Sequence, residues 1–295
     1  MKKLLVSILW MFFFCSNLPM LKAADLFSYT VGDYKVYLLS ESQQNASVNI
    51  LIDASPEILK QYAPENGVPN SMSAYLLQNG DKNILVDTGI GKELFNNLNE
   101  IGVKPEDIDI ILITHMHGDH IGGMIKDGKV MFPNAQVYLP QPEHDYWMSD
   151  DEMNQVAENR RGSFLQARNV IHSYQDRLTT FEPISLDNPS QELLPNIKGI
   201  AAYGHTPGHT MFLVESKDSK LMIWGDLMHA MDVQMPHPEI AVTYDVNPSL
   251  ATESRLKVLE YISNEKIPFA GMHIPYPGMG KVSKAEQGYS YNLLQ

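Results

Sequence analysis

Cysteine is nearly absent from this chain: Cys15 alone in 295 residues. It lies in an apolar N-terminal segment, so the rest of the chain has neither disulfides nor thiolate metal ligands. Positive charge is scarce too, with 22 Lys and Arg against 35 Asp and Glu and a formal net charge of −13. An acidic surface is a poor match to polyanions, which argues against nucleic acid as a partner. Long apolar runs are equally rare. Leu4–Phe14 is too short to span a bilayer and follows the basic start Met1-Lys2-Lys3. With Ala23 and Ala24 as cleavage residues, residues 1–23 read as a signal peptide, although Leu21 and Lys22 are poor residues for the −3 position. Phe14-Cys15-Ser16 lacks the small residues that precede a lipid-modified cysteine. Removal of the segment takes Lys2, Lys3 and Lys22 away and moves the charge from −13 to −16. The expected location is periplasmic or secreted, without stable membrane association after processing. No Gly/Ser linker, low-complexity run or long repeat divides residues 24–295, which read as a single domain.

What the chain does have is histidine, ten in all, six of them placed where apolar runs end. Ile110-Ile111-Leu112-Ile113 reads as a buried strand, and Thr114-His115-Met116-His117-Gly118-Asp119-His120 follows it. His115 and His117 stand two apart in extended chain and point to the same side, and Asp119 and His120 come round the turn. Tyr203-Gly204-His205-Thr206-Pro207-Gly208-His209-Thr210 follows the apolar stretch from Ile197 to Ala202. Leu221-Met222-Ile223-Trp224-Gly225-Asp226 ends a third run in a carboxylate, and Pro268-Phe269-Ala270-Gly271-Met272-His273 ends a fourth in an imidazole. Imidazoles and carboxylates together suit zinc and similar divalent ions. Enough donors converge for two cations, which at a separation of roughly 3.5–4 Å can hold a hydroxide and polarise the bond it attacks. Spacing alone does not say whether His205 or His209 binds metal.

The elements between these motifs alternate. Tyr34 to Leu39 alternates as a strand, and Ser73–Leu77 and Asn83–Val86 flank a hairpin turn at Asn79-Gly80-Asp81. Leu94, Leu98 and Ile101 recur at helical spacing. Pro142 to Met148 and a longer stretch from Asn154 to Leu178 read as helices. Asn247-Pro248 is a cap with proline at the first helical position, and Leu256, Leu259 and Ile262 then mark one apolar face.

The ordered set HMHGDH, GHTPGH, WGD and the late His273 resembles the metallo-β-lactamase superfamily of dinuclear metal hydrolases. The resemblance runs from about Tyr34 to Gly280. Trp224–His229, Gln234–Glu239 and Pro275–Gly280 resemble the methyl parathion hydrolase branch, which is similar in turn to the N-acyl homoserine lactonases. It implies an α/β fold, a four-layer αβ/βα sandwich with the active site along one edge. It also implies two Zn2+ ions, with Mn2+, Co2+ or Fe2+ suiting the same ligands. The first would take His115, His117 and His205, the second Asp119, His120 and His273, and Asp226 would bridge. His209 is then a hydrogen-bonded histidine beneath the site. Asp87 supports a ligand histidine, the alternative being a turn-capping aspartate. His229 stands where related lactonases carry a substrate-contacting tyrosine, so it is read as substrate-side or simply exposed. Phe95, Trp147 and Phe164 match pocket aromatics of the methyl parathion hydrolase branch in rough position, and each is equally readable as a core residue.

The implied reaction is hydrolysis of a small-molecule ester or lactone, acyl homoserine lactones leading, by a metal-bridging hydroxide, with Asp119 passing a proton to the leaving oxygen. Methyl parathion-like phosphotriesters or aryl esters are the alternative. A β-lactamase, a glutathione-thioester hydrolase and a non-catalytic metal- or ligand-binding protein are further readings. Homodimers are common among such relatives.

Overall fold

The computed structural model describes residues 26–80 and 82–295. The expected signal peptide and Asp81 of the expected hairpin turn lie outside the described residues. Two sheets account for most of the strands. The first contains β1 (Ser28–Val31), β2 (Tyr34–Ala46), β3 (Val68–Asn79), β4 (Lys82–Val86) and β5 (Ile110–Leu112). After a small hairpin of β6 (Ile125–Lys126) and β7 (Lys129–Val130) it is completed by β8 (Gln136–Pro140) and β9 (Leu178–Phe181), in the order β1-β2-β3-β4-β5-β8-β9. The second runs in chain order through β10 (Ile197–Ala201), β11 (Thr210–Ser216), β12 (Ser219–Ile223), β13 (Phe269–Ala270), β14 (Met279–Lys284) and β15 (Tyr289–Leu293). Pairing is antiparallel except for β4–β5, β5–β8 and β8–β9 in the first sheet and β12–β13 in the second.

Strand alternation explains the layering. In β4, Ile84 and Val86 face the other sheet while Leu85 faces outward; in β11, Phe212 and Val214 face inward while Met211 and Leu213 face outward. Both faces are buried, so these strands read as unbroken apolar runs. The inward residues form the core between the sheets. Outside the first sheet pack α2 (Leu94–Ile101), α4 (Gln141–Met148) and α6 (Arg161–Tyr174). Outside the second packs α8 (Pro248–Glu265), through Val258, Leu259 and Ile262. This is the expected αβ/βα sandwich. The remaining helices are short: α1 (Pro56–Tyr62), α3 (Gly118–Ile121), α5 (Asp150–Gln155) and α7 (Met231–Gln234). Among the described residues, no helix is long and apolar enough to cross a membrane.

Two sequence expectations change. The stretch from Asn154 to Leu178 is not one helix. The first piece, α5, stops at Gln155, Val156 and Ala157 are extended, a 3-10 turn covers Glu158–Arg160, and Leu178 already belongs to β9. The second correction concerns α8, whose buried face is Ala251, Arg255, Val258, Leu259 and Ile262, with Leu256 41% exposed. At helical periodicity Leu256 falls just outside the stripe that runs from 251 through 255 and 258/259 to 262. The Asn247 cap itself forms as read, its Oδ1 accepting the Leu250 N–H at 3.1 Å.

Phe212→Ala should therefore cost about 3–5 kcal/mol of stability by emptying the space between the sheets. Leu256→Ala should change stability by under about 0.5 kcal/mol, as a surface substitution. Denaturant titration of the two variants checks both; a large loss at Leu256 would restore it to the packed face.

Candidate metal centre

The site lies at one edge of the sandwich, where parallel strand pairs of both sheets end. The loop after β5 carries His115, His117, Asp119 and His120, and the β10–β11 connection carries His205. Asp226 follows β12 and His273 follows β13. Donor atoms of His115, His117, His205 and Asp226 lie within 4.8 Å of one another, as do those of Asp119, His120 and His273. The structure thus gathers all seven expected ligands into two adjoining groups. His117 Nδ1 lies 3.0 Å from both His115 Nε2 and His205 Nε2. Asp226 Oδ2 is 3.5 Å from His115 Nε2, 3.2 Å from His205 Nε2 and 3.0 Å from His273 Nε2.

Hydrogen bonds behind the rings decide which nitrogens face inward. Thr114 Oγ1 donates to Asp87 Oδ2 at 2.6 Å, so at 3.1 Å from His115 Nδ1 it accepts that ring's proton. His120 Nδ1 donates to Asp87 Oδ2 at 2.7 Å, His205 Nδ1 to Asp245 Oδ1 at 2.8 Å, and His273 Nδ1 to the Ser71 carbonyl at 2.7 Å. Each leaves an Nε2 lone pair directed into the site, the arrangement that orients metal-binding imidazoles. His209 differs. Its Nδ1 donates to the Ala202 carbonyl and its Nε2 accepts the Asp226 N–H, both at 2.9 Å, so neither nitrogen is free for a metal. This chooses His205 over His209 by geometry. Gly225, at φ +59°, permits it, because a Cβ there would stand 2.5 Å from His209 Nε2.

The donors fit a cation better than they fit one another. His120 Nε2 and Asp226 Oδ1 lie 3.0 Å apart, yet both are buried without an aligned hydrogen bond. Unpartnered buried polar atoms are costly, and a shared cation would satisfy both. Burial opposes ionisation of Asp226, but His120, His273 and His115 outweigh it and hold the carboxyl well below the usual range. Burial likewise works against protonating His120 and His273, but Asp226 and its neighbours raise both, His273 to about 10. Burial pushes His117 down to about 3, with His205 adding to it. Without metal, protons supply the charge that balances the carboxylates; cations displace them, so metal binding strengthens as pH rises.

Residues 67–266 match the metallo-beta-lactamase superfamily. The chain belongs to that family. The structure of hydrolase AbOPH, in the beta lactamase superfamily, superposes with a TM-score of 0.84 at 30% identity, covering 93% of this chain and 99% of that one. AidC, a dizinc quorum-quenching lactonase solved with its product N-hexanoyl-L-homoserine, superposes at 0.82 with 25% identity, covering 92% and 97%. Among curated proteins, 175 residues are 24% identical to the N-acyl homoserine lactonase of Bacillus cereus, covering 50% of this chain and 60% of that one. A shorter match, 48% identity over 82 residues, joins it to the exodeoxyribonuclease WalJ of Streptococcus pneumoniae, covering 26% of this chain and 30% of WalJ. The chain thus spans only part of the length of these curated relatives.

The donors form the floor of a cleft of about 470 Å3. Ile50, Met72, Tyr146, Trp147, Phe164 and Val246 line its walls, with Tyr244 48% exposed at the mouth. Trp147 and Phe164 are thus among the residues that line it. Phe95 is not: it stacks on Phe132 with ring centroids 6.0 Å apart and packs into the helical side of the first sheet. Its place on α2, behind the sheet, puts it on the core side. His229 is buried, not exposed. Its Nε2 is 3.2 Å from Asp226 Oδ2, its ring stacks on His273, and it lines the cleft. Burial holds His229 down to about 4, so it is neutral near pH 7.

Sequence reasoning missed Asp245, Ser71 and Glu143. Asp245 holds His205 from 40 residues away, and Ser71 holds His273 through a backbone carbonyl that no side chain announces. Glu143 looks like a routine acid in a helix's first turn. Asp245→Asn should weaken metal binding about 10–100-fold, since an amide cannot accept from both His205 Nδ1 and the Val242 N–H. Competition with a chelator measures it, and unchanged affinity would remove Asp245 from the site's support.

Proposed function

We propose that this hydrolase uses two zinc ions to open esters and lactones, with N-acyl homoserine lactone-type substrates preferred. The observation that carries this reading is the pair of converging donor groups at the floor of an apolar, aromatic-walled cleft. The dizinc lactonase AidC supports it as a structural relative along nearly the whole chain. Five imidazoles and two carboxylates, with no thiolate, suit zinc, while manganese, cobalt and iron(II) are compatible with the same donors. His115, His117 and His205 would hold one ion, Asp119, His120 and His273 the other, and Asp226 would lie between them. Bound there, the ions supply a nucleophile from water at neutral pH and neutralise charge that develops on the attacked carbonyl or phosphoryl oxygen.

The chain's own residues do the rest. Trp147, Phe164, Tyr146 and Met72 exclude water and hold the acyl or aryl part of the substrate against the floor. His229, neutral and facing the cleft beside Asp226, offers a hydrogen bond to the substrate's polar end. Asp119, the most open of the acids with a side chain 30% exposed, reaches both His273 and solvent and can return a proton to the leaving oxygen. No side chain becomes covalently attached. The acidic surface favours a neutral substrate over a polyanion.

A second reading, an aryl esterase or phosphotriesterase, is favoured by His229, which stands 3.2 Å from Asp226 at the position where the resemblance implies a tyrosine in related lactonases. Initial rates of zinc-loaded protein on long- and short-chain acyl homoserine lactones, a paraoxon-type triester and nitrocefin separate the two. A lactone rate far above the others is expected; a dominant triester or aryl-ester rate transfers the assignment. Protein that holds both metals and turns over none of the panel would fit a binding protein instead. Asp226→Asn and His205→Ala should each lose metal along with rate, and retention of both metals with near-normal turnover would sink the ligand assignment.

A further inference from the structure

We infer that Glu143 is a positioning residue that locks the two metal-ligand loops and the aromatic wall of the cleft into one register. It sits in the first turn of α4 and is fully buried. Its carboxylate accepts four hydrogen bonds. Oε1 takes the Met116 N–H at 2.9 Å and the Trp147 Nε1–H at 2.5 Å. Oε2 takes the Thr206 hydroxyl at 2.7 Å and the Gly208 N–H at 3.0 Å. Met116 lies between the ligands His115 and His117, and Thr206 directly follows the ligand His205. Trp147 packs edge-on to His117, ring centroids 5.9 Å apart, and against Phe164 at 4.7 Å. One side chain therefore touches the HMHGDH loop, the GHTPGH loop and the substrate wall.

Two further observations show that the arrangement is specific. Among the described residues no Lys, Arg or His forms an ion pair with Glu143, so hydrogen bonds alone compensate a buried carboxylate. Burial pushes its pKa up, while Thr206, Trp147, Met116 and Gly208 pull it back. Only a carboxylate can accept from all four donors; an amide must turn an NH2 towards two of them. The second observation is backbone contact. A Cβ on Gly208 would stand 2.1 Å from the Glu143 backbone nitrogen, so α4 and the GHTPGH loop touch main chain to main chain. The loop has no room to move independently of the helix that bears Trp147.

Glu143 meets neither the cleft nor the inward-facing donor atoms, so it acts through His115, His117, His205 and Trp147. The consequence is coupling between metal retention and substrate fit. This rests on the ligand assignment proposed above, and the test keeps the two apart. Zinc-loaded wild type, Glu143→Gln and Trp147→Phe are compared for zinc stoichiometry, rate of zinc loss to a chelator, tryptophan emission, and kcat and KM on one long-chain lactone or ester. Trp147 and Trp224 are the tryptophans of the described residues, so emission reports the wall. Glu143→Gln should lose zinc about tenfold faster or more, shift the emission, and change both kcat and KM. Trp147→Phe, which removes one donor of the four, should raise KM while zinc loss stays near wild type. If Glu143→Gln does not fold, Thr206→Val removes a single donor and should still speed zinc loss. Glu143→Gln, or Thr206→Val in its place, with wild-type zinc loss overturns the inference alone. A wild type that binds no zinc or other divalent ion overturns both the inference and the ligand assignment.

Discussion

The Asp226 carboxylate lies within 3.5 Å of five imidazole nitrogens, those of His115, His120, His205, His229 and His273. Two of those rings come from the first sheet's loop and three from segments of the second half of the chain. The carboxylate is thus the point at which the two sheets meet electrostatically. A buried acid in such a place needs compensation, and the surrounding imidazoles provide it. The apolar core between the sheets sets the distance at which this happens. Strands β5, β12 and β13 are rigid because both of their faces are packed, and their ends deliver donors to fixed positions.

A layer of hydrogen bonds behind the donors turns proximity into a usable site. Asp87 serves His120 directly and His115 through Thr114, Asp245 serves His205, and the Ser71 carbonyl serves His273. Asp87 adopts φ 58°, a left-handed conformation that aspartate tolerates better than most side chains. The bend brings its carboxylate under two of the clustered imidazoles at once. His209 illustrates the opposite outcome: with both nitrogens engaged, it fixes the Asp226 backbone and is spent as a donor. Above this layer the cleft is apolar, so the chemistry sits at the floor while the walls select shape and hydrophobicity.

The sequence by itself marked the candidate donors, because apolar strands that end in histidine or aspartate state both an element and a chemistry. It determined the αβ/βα alternation for the same reason, and the Asn247-Pro248 helix start through local capping. Tertiary structure decided everything that depends on reach across the fold. Phe95 turned to the core because α2 lies behind the first sheet. The long helical reading broke at Val156-Ala157, where extended backbone gives Val156 a place in the cleft wall. His205 became distinguishable from His209 only once the partners of each ring nitrogen were known. Asp245 and Glu143 act on residues 40 and 63 positions away along the chain. Periodicity and spacing report on neighbours within a few residues, whereas a hydrogen bond depends on atoms that the fold alone brings together.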